Sequence, residues 1–543
     1  MGNGSGRRLT FLLSTAIACS AALASQCHAM DCEDLAGLTL PDTTIKSAES
    51  IPSGDFTTPD KVKHLGLPAF CRVVASVAAT PDSDIGVEIW LPKERWNGVF
   101  HGNGNGGYGG TFTFGYIGME AGLRRGYATA TTDMGTAPAN DLLGDALTGH
   151  PQKWKDWGLI STHVMTVFGK QIVGAFYGTP PRRSYFTGCS TGGQQALIEA
   201  QYYPADYDGI LAGAPVVNRT WGHAALVWDY QAANLRPGHK LSDAKLSLLH
   251  DRALAACGGK SNGIKSDPFI ADPLACKFDP AALTCKGTDS DTCLTPAEVE
   301  TAKAFYSGPV SRRTGKDINM GWVPGSELGP PSWRYLETPF INPDEPEFDG
   351  LFKWVFGAGW NWRDFDFDRD IPKVDAVLAK ALDGAMKADL RKFEARGGKL
   401  VMFQGGSDAL VTPRQTVAYY EKVARPFGGA QKAQDFARLF MAPGVGHCGG
   451  GVGPNRFNSL SPRTAPPADE PGDDVFAAVT DWVENGVAPR RIVATKYVDD
   501  DPAKGIAMQR PLCPYPQKAW YRGSGSTGDA GNFICATKKL KQR

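Results

Sequence analysis

The stretch Ser184-Tyr185-Phe186-Thr187-Gly188-Cys189-Ser190-Thr191-Gly192-Gly193-Gln194-Gln195-Ala196-Leu197-Ile198-Glu199-Ala200 decides how the rest of the chain is read. A β-forming run enters a Gly-x-Ser-x-Gly turn, and helix formers leave it. So tight a strand-to-helix turn forces its serine into a strained backbone state. Gly188 and Gly192 carry no side chain, so strand and helix can approach. The Ser190 hydroxyl then projects off the end of a sheet, beside a helix N-terminus that favours developing negative charge. The bland alternative is a glycine-rich turn without chemistry.

Outward from this turn the same alternation continues. β-rich runs at 87–91, 98–100, 127–131 and 184–187 alternate with helical stretches at 158–177 and 193–203. This pattern predicts an α/β fold, a mostly parallel sheet covered on both faces. It breaks at about residue 220 and returns with apolar strands at 399–403 and 438–441. The intervening 220–396 holds four cysteines, Trp and Pro clusters and the run Asp364, Asp366, Asp368, Asp370. Alternation at every second residue reads as one solvated face of a strand or loop. The chain therefore divides into a discontinuous core, 30–219 and 397–543, and an inserted lid, 220–396. A Pro-rich polar loop, 455–473, precedes a helix at 474–485.

A serine nucleophile needs a base, and the base needs an orienter. His447 lies in Ala442-Pro443-Gly444-Val445-Gly446-His447-Cys448-Gly449-Gly450, a loop after an apolar strand whose glycines let it reach over a serine. His101 and His163 are the rivals, both better suited to packing or polar loop roles. Asp408 follows the strand 399–403 through Gln404-Gly405-Gly406-Ser407, where a triad carboxylate belongs; a turn-forming Asp is its plain alternative. The chain order Ser190, Asp408, His447 is that of the α/β-hydrolases. Asn103-Gly104-Asn105-Gly106-Gly107-Tyr108-Gly109-Gly110 lacks the Gly-Lys-Ser/Thr of a phosphate loop and suits an oxyanion loop. Its donor is Gly106 or Gly107, acting with the amide of Thr191. Cys189 and Cys448 each adjoin a proposed catalytic residue. If Ser190 and His447 meet, these two cysteines are close enough to bridge.

Composition bounds the function class. The chain has 543 residues, with 57 basic and 57 acidic side chains. Zero net charge argues against a nucleic-acid binder or a polybasic membrane-surface protein. Arg7 and Arg8 precede a modest apolar run ending near Ala24, which reads as a secretory signal peptide, 1–29, and is too short and Ser/Ala-rich for a comfortable membrane span. Cleavage fits after Ala24 or Ala29. Of twelve cysteines, the later site leaves an even ten: Cys32, Cys71, Cys189, Cys257, Cys276, Cys285, Cys293, Cys448, Cys513 and Cys535. An even set in an exported, secreted or periplasmic chain implies disulfides.

Four pieces together resemble the tannase and feruloyl esterase family of α/β-hydrolases. They are Gly188-Cys189-Ser190-Thr191-Gly192-Gly193, Gln201-Tyr202-Tyr203-Pro204-Ala205-Asp206-Tyr207-Asp208-Gly209-Ile210, Asp408 after Gly405, and His447-Cys448. The family also includes bacterial mono(2-hydroxyethyl) terephthalate hydrolases, and the resemblance covers nearly the whole mature chain. It implies an α/β-hydrolase core with a large lid and hydrolysis of phenolic-acid esters. It also implies the pairs Cys32–Cys71, Cys257–Cys276, Cys285–Cys293 and Cys513–Cys535 beside Cys189–Cys448. Finally, it points to a structural calcium ion in the lid, in the loop after Cys257. Here Gly258 and Asn262 stand where the family carries aspartates. Asn262, the Ile264 carbonyl and Asp267 remain as ligands, a thin set for an ion that takes six to eight oxygens.

The resulting expectation is a two-step hydrolysis of a small aromatic ester through Ser190, His447 and Asp408, with no cofactor required for the chemistry. Lid aromatics Trp354, Phe356, Trp360 and Trp362 are candidates to sandwich the acyl ring. The alternatives are a terephthalate-monoester or general carboxylesterase and a non-catalytic polyphenol-binding protein.

Overall fold

The computed structural model describes residues 29–260, 262–458 and 470–538. All but Ala29 of the signal-peptide reading, 1–29, falls on residues outside these, as does most of the 455–473 loop. Among the described residues no helix is long and apolar enough to cross a membrane.

Nine strands form one sheet: β1 (Thr43–Ile51), β2 (Phe70–Val77), β3 (Ile85–Pro92), β4 (Val99–Asn103), β5 (Ala128–Thr132), β6 (Arg183–Cys189), β7 (Gly209–Gly213), β8 (Lys399–Gly405) and β9 (Ala437–Ala442). Their order is β1-β2-β3-β5-β4-β6-β7-β8-β9. From β5 to β9 every pairing is parallel, whereas β1, β2 and β3 join antiparallel at one edge. The parallel strands are buried along nearly their whole length, as strands covered on both faces must be. Helices α1 (Thr113–Arg124), α2 (Ser161–Tyr177), α3 (Thr191–Tyr202), α8 (Pro413–Ala424) and α9 (Val475–Asn485) cover those faces. Asp474 caps α9 by accepting from the Phe476 amide at 2.8 Å, a cap worth about 1 kcal/mol.

Between β7 and β8 the described chain adds no strand to this sheet. It supplies α4 (Arg219–Asn234), α5 (Asp243–Cys257), α6 (Pro296–Ser307), α7 (Phe367–Leu382) and shorter turns. One apolar cluster there joins Trp354, Trp362, Phe365 and Val374 to Tyr108 of the loop after β4 and to Trp154 and Trp157 of the helical stretch that leads into α2. The Trp354 indole donates to the Gly144 carbonyl at 2.8 Å, and that of Trp362 to the Asp344 carbonyl at 3.0 Å.

The run of aspartates is not a strand face. Asp366 caps α7, accepting from the Arg369 amide at 2.9 Å. Asp370 pairs with Arg369 and Lys373. Carboxylates at a helix start satisfy orphan amides and favour the helix dipole, which accounts for Asp366 and Asp370, while Asp368 accepts from the Ser311 hydroxyl and the Arg313 amide of a neighbouring loop.

Five disulfides join Cys32–Cys71, Cys189–Cys448, Cys257–Cys276, Cys285–Cys293 and Cys513–Cys535. These are the pairs that the family resemblance implies.

Candidate active site

Ser190 ends β6 and caps α3 with φ 65° and ψ −119°. A non-glycine residue held there costs on the order of 1–3 kcal/mol. Its amide donates to the Gly213 carbonyl at 3.0 Å, and the Gly192 amide to the Asn105 carbonyl at 2.8 Å. Backbone bonds thus clamp the turn between the β4 loop and β7. Gly188 is required by contact: a Cβ there would sit 2.5 Å from backbone atoms of Gly192.

Asp408 follows β8 and is fully buried. Its Oδ1 accepts from the Leu410 and Val411 amides at 2.8 and 2.9 Å. Its Oδ2 accepts from the Gln404 side-chain amide at 3.0 Å and lies 2.9 Å from His447 Nδ1. A carboxylate so held fixes the imidazole with Nδ1 as the donor and Nε2 as the free base. The His447 backbone amide donates to the Pro330 carbonyl at 2.9 Å, so the inserted segment steadies the histidine loop. Cys448 also has positive φ, 62°, and its bridge to Cys189 sets the two Cα atoms 5.9 Å apart. Ser190 and His447 line the same cavity, of about 300 Å³.

The glycine-rich loop forms another wall of that cavity through Gly104, Gly106 and Gly107. Gly107 has φ 47°, and a Cβ on it would collide with the Asp141 carbonyl. The Thr191 hydroxyl donates to the Gly107 carbonyl at 2.8 Å and accepts from the Arg219 guanidinium at 2.9 Å. As the first residue of α3, Thr191 has an amide with no acceptor inside the helix. Arg219 is buried, gives its Nε to Gln194 Oε1 at 2.9 Å and lies over the Trp157 ring at 4.6 Å. Burial lowers its pKa to about 10. Nothing in the local sequence marks Arg219 for its position, because it acts on an element some 25 residues earlier, and Gln404, although only four residues from Asp408, carries no motif that sets it apart.

The rival histidines lie elsewhere. His101 is inside β4, 2.8 Å from the Thr187 hydroxyl, with its pKa lowered to about 3 by burial and by Arg125. His163 pairs with Asp206 at 2.6 Å and stacks on Tyr203.

The aromatic side chains on the cavity differ from those expected. Trp354 packs on Tyr108, Trp154 and Trp157, Trp362 on Tyr230, and Phe356 and Trp360 on Phe365 and Phe352, away from the cavity wall. Instead the cavity is lined by Phe114, Tyr335, Phe340, Phe348 and Phe403.

The calcium reading fails on the donors. The Asn262 side-chain amide donates to Asp267 Oδ2 at 2.7 Å, and its Oδ1 accepts from the Ile264 amide at 2.9 Å. Asp267 Oδ1 takes the Arg510 guanidinium. The side-chain oxygens of Asn262 and Asp267 are committed to protein donors and the one carboxylate is paired to a cation, so this set does not fit the ion. Among the described residues, two other trios bring potential metal ligands together. Cys285, Asp289 and Cys293 include a disulfide, and His163, Glu199 and Asp206 lie off the cavity.

A parallel-sheet core with a strained serine after a central strand and a buried Asp–His pair beyond later strands defines the α/β-hydrolase class. The model of the tannase and feruloyl esterase family matches residues 71–536. The chain is 40% identical to an uncharacterized esterase of Xanthomonas campestris pv. campestris, covering 97% of this chain and 95% of that one. It is 32% identical to the mono(2-hydroxyethyl) terephthalate hydrolase of Piscinibacter sakaiensis over 88% and 86% of the two chains. The crystal structure of feruloyl esterase B from Aspergillus oryzae superposes with a TM-score of 0.82 at 26% identity, covering 93% of this chain and 99% of that one. The protein is a carboxylic ester hydrolase and belongs to the tannase and feruloyl esterase family.

Proposed function

We propose that this protein is an exported serine esterase acting on carboxylic esters of aromatic, phenolic acids, such as feruloyl or galloyl esters. His447 Nε2 takes the Ser190 proton as the hydroxyl oxygen attacks the ester carbonyl. The Thr191 amide and that of Gly106 or Gly107 bind the oxyanion. The intermediate collapses to an acyl-serine, and His447 returns the proton to the departing alcohol. Water, deprotonated by His447, then releases the acid. Asp408 holds the imidazole tautomer and stabilises its cation.

The observation that supports this reading is the buried 2.9 Å Asp408–His447 pair on the wall of the cavity that Ser190 lines, with Cys189 bridged to Cys448. Phe114, Phe340 and Phe348 offer ring faces to an aromatic acyl group. The five disulfides favour an oxidising compartment.

The test is turnover of methyl ferulate, methyl gallate and mono(2-hydroxyethyl) terephthalate by wild type and Ser190→Ala. The variant is expected to lose at least about 10⁴-fold in kcat. Unchanged turnover in Ser190→Ala would remove the mechanism. Failure of the wild type on every one of these esters would refute the aromatic acyl substrate class.

A further inference from the structure

The cavity is apolar on most sides, but one wall is acidic. Asp141 and Tyr335 line it. Behind them Glu347 is 7% exposed, and its Oε2 has no hydrogen-bond partner. The Tyr335 hydroxyl faces the Glu347 carboxylate, and the Asp141 charge acts on both. Among the described lining residues there is no Lys or Arg, and His447 is the one basic side chain. The mouth adds apolar surface, with Phe340 77% exposed and Phe114 42%.

Glu347 takes the Tyr335 hydroxyl hydrogen from behind the wall, which leaves the Tyr335 oxygen and the Asp141 carboxylate as the acceptors on the cavity side. With no cation on the wall, a substrate carboxylate would bring a third negative charge against two, in a site of low dielectric. A ring hydroxyl brings a proton instead. Resting on the proposed reading of this site, we propose that Asp141 and Tyr335, with Glu347 orienting the Tyr335 hydroxyl from behind, form a subsite for the hydroxyl hydrogens of a neutral phenolic acyl ring and exclude acyl rings that carry a carboxylate. Burial of Glu347, the main cause, and the neighbouring Asp141 raise that carboxyl to about 6. At neutral pH it is therefore ionised and holds the Tyr335 hydroxyl hydrogen, so that the Tyr335 oxygen acts toward the ligand as an acceptor. The subsite separates this chain's preference from that named for its terephthalate-monoester relative.

The experiment needs no turnover. Methyl ferulate, methyl 3,4-dimethoxycinnamate, dimethyl terephthalate and monomethyl terephthalate are titrated into Ser190→Ala by calorimetry at pH 7.5. Methyl ferulate is expected to bind at least about tenfold tighter than its O-methylated analogue, since each hydrogen bond to a charged group contributes about 1.5–3 kcal/mol. Dimethyl terephthalate is expected to bind at least about tenfold tighter than the monomethyl anion. In Ser190→Ala/Glu347→Gln and Ser190→Ala/Asp141→Asn both ratios should shrink toward one. Equal affinities within either pair, or tighter binding of the anion, would overturn the subsite, and the two wild-type-wall comparisons decide this even if a wall variant fails to fold. 2-Hydroxyethyl benzoate and methyl benzoate form the control pair. A preference that follows the alcohol's hydroxyl rather than the ring's would also overturn it. Wild-type hydrolysis of 4-nitrophenyl acetate, lost in Ser190→Ala, reports separately on the catalytic reading, so the two can fail independently.

Discussion

Gly104→Ala tests whether the oxyanion loop is positioned by bare backbone contact. Gly104 leaves β4 and donates its amide to the Thr187 carbonyl at 2.9 Å. A Cβ added there would lie 2.6 Å from Gly192 Cα, 3.1 Å from Gln195 Oε1 and 3.2 Å from Gly188 Cα. Two of these neighbours are backbone of the elbow itself and cannot rotate away. Restoring ordinary contact at about 3.4 Å requires the loop and the start of α3 to part by roughly 0.8 Å. Gly106 and Gly107 ride on that loop, and Thr191 moves with Ser190 on the elbow, so the loop donor separates from the serine and from the Thr191 amide by a similar amount. A displacement of about 1 Å in a reacting geometry costs roughly 100-fold in rate, while overpacking costs about 1–3 kcal/mol of stability. The expected result is a kcat on methyl ferulate lower by roughly two orders of magnitude, a smaller change in KM, and a cooperative melt shifted by a few degrees. Gly174→Ala in α2, where a Cβ meets nothing within 4 Å, is the control and should keep its kcat. A Gly104→Ala enzyme within threefold of wild-type kcat would refute the claim that these glycines set the distance between loop and elbow.

Cys189→Ala/Cys448→Ala opens a link that closes a 259-residue span; it should lower stability by about 2–5 kcal/mol and kcat at least about tenfold, and full activity of the pair would count against the staple. Thr191→Val removes the hydroxyl between Arg219 and Gly107. A lost bond to a buried charge costs about 1.5–3 kcal/mol, and the effect should appear in kcat with KM nearly unchanged; a loss confined to KM would contradict the positioning role. Glu337 is held to about 7, against an ordinary 4.5, chiefly by burial, although it accepts from the Leu241 amide and from Arg334. Between those values the folded state keeps a proton that the unfolded chain has released, so this group's contribution is full below about pH 4.5 and is lost as pH rises toward 7. Glu337→Gln should therefore flatten the fall in melting temperature between pH 5 and 7, and an unchanged slope would exclude Glu337 as its source.

What could be read from sequence shares one property: it follows from constraints within a few residues. Ser190 was legible because a strand, a tight turn and a helix in that order leave few conformations for the residue between Gly188 and Gly192. Cys189 and Cys448 were legible because each adjoins a residue expected at the same place. The inner strands showed as short apolar runs. By contrast, β1 alternates exposed and half-buried residues, and its polar side chains blend into the loop before it. The aspartates at 364–370 misled because two-residue spacing also arises at a capped helix start. The lid tryptophans misled for a related reason: a buried indole N–H usually takes an acceptor, and the Gly144 and Asp344 carbonyls hold Trp354 and Trp362 inward, away from the cavity. The cavity's acidic wall had no local signal at all. Asp141 and Glu347 stand 206 positions apart in the chain, each ordinary in its own segment, and acquire a role only by facing Tyr335 across the fold. Catalytic geometry here is written into backbone turns, whereas selectivity is written into side chains that meet only after the inserted segment closes over the sheet. Relatives that share the elbow and both cysteines can therefore differ in the ester they accept.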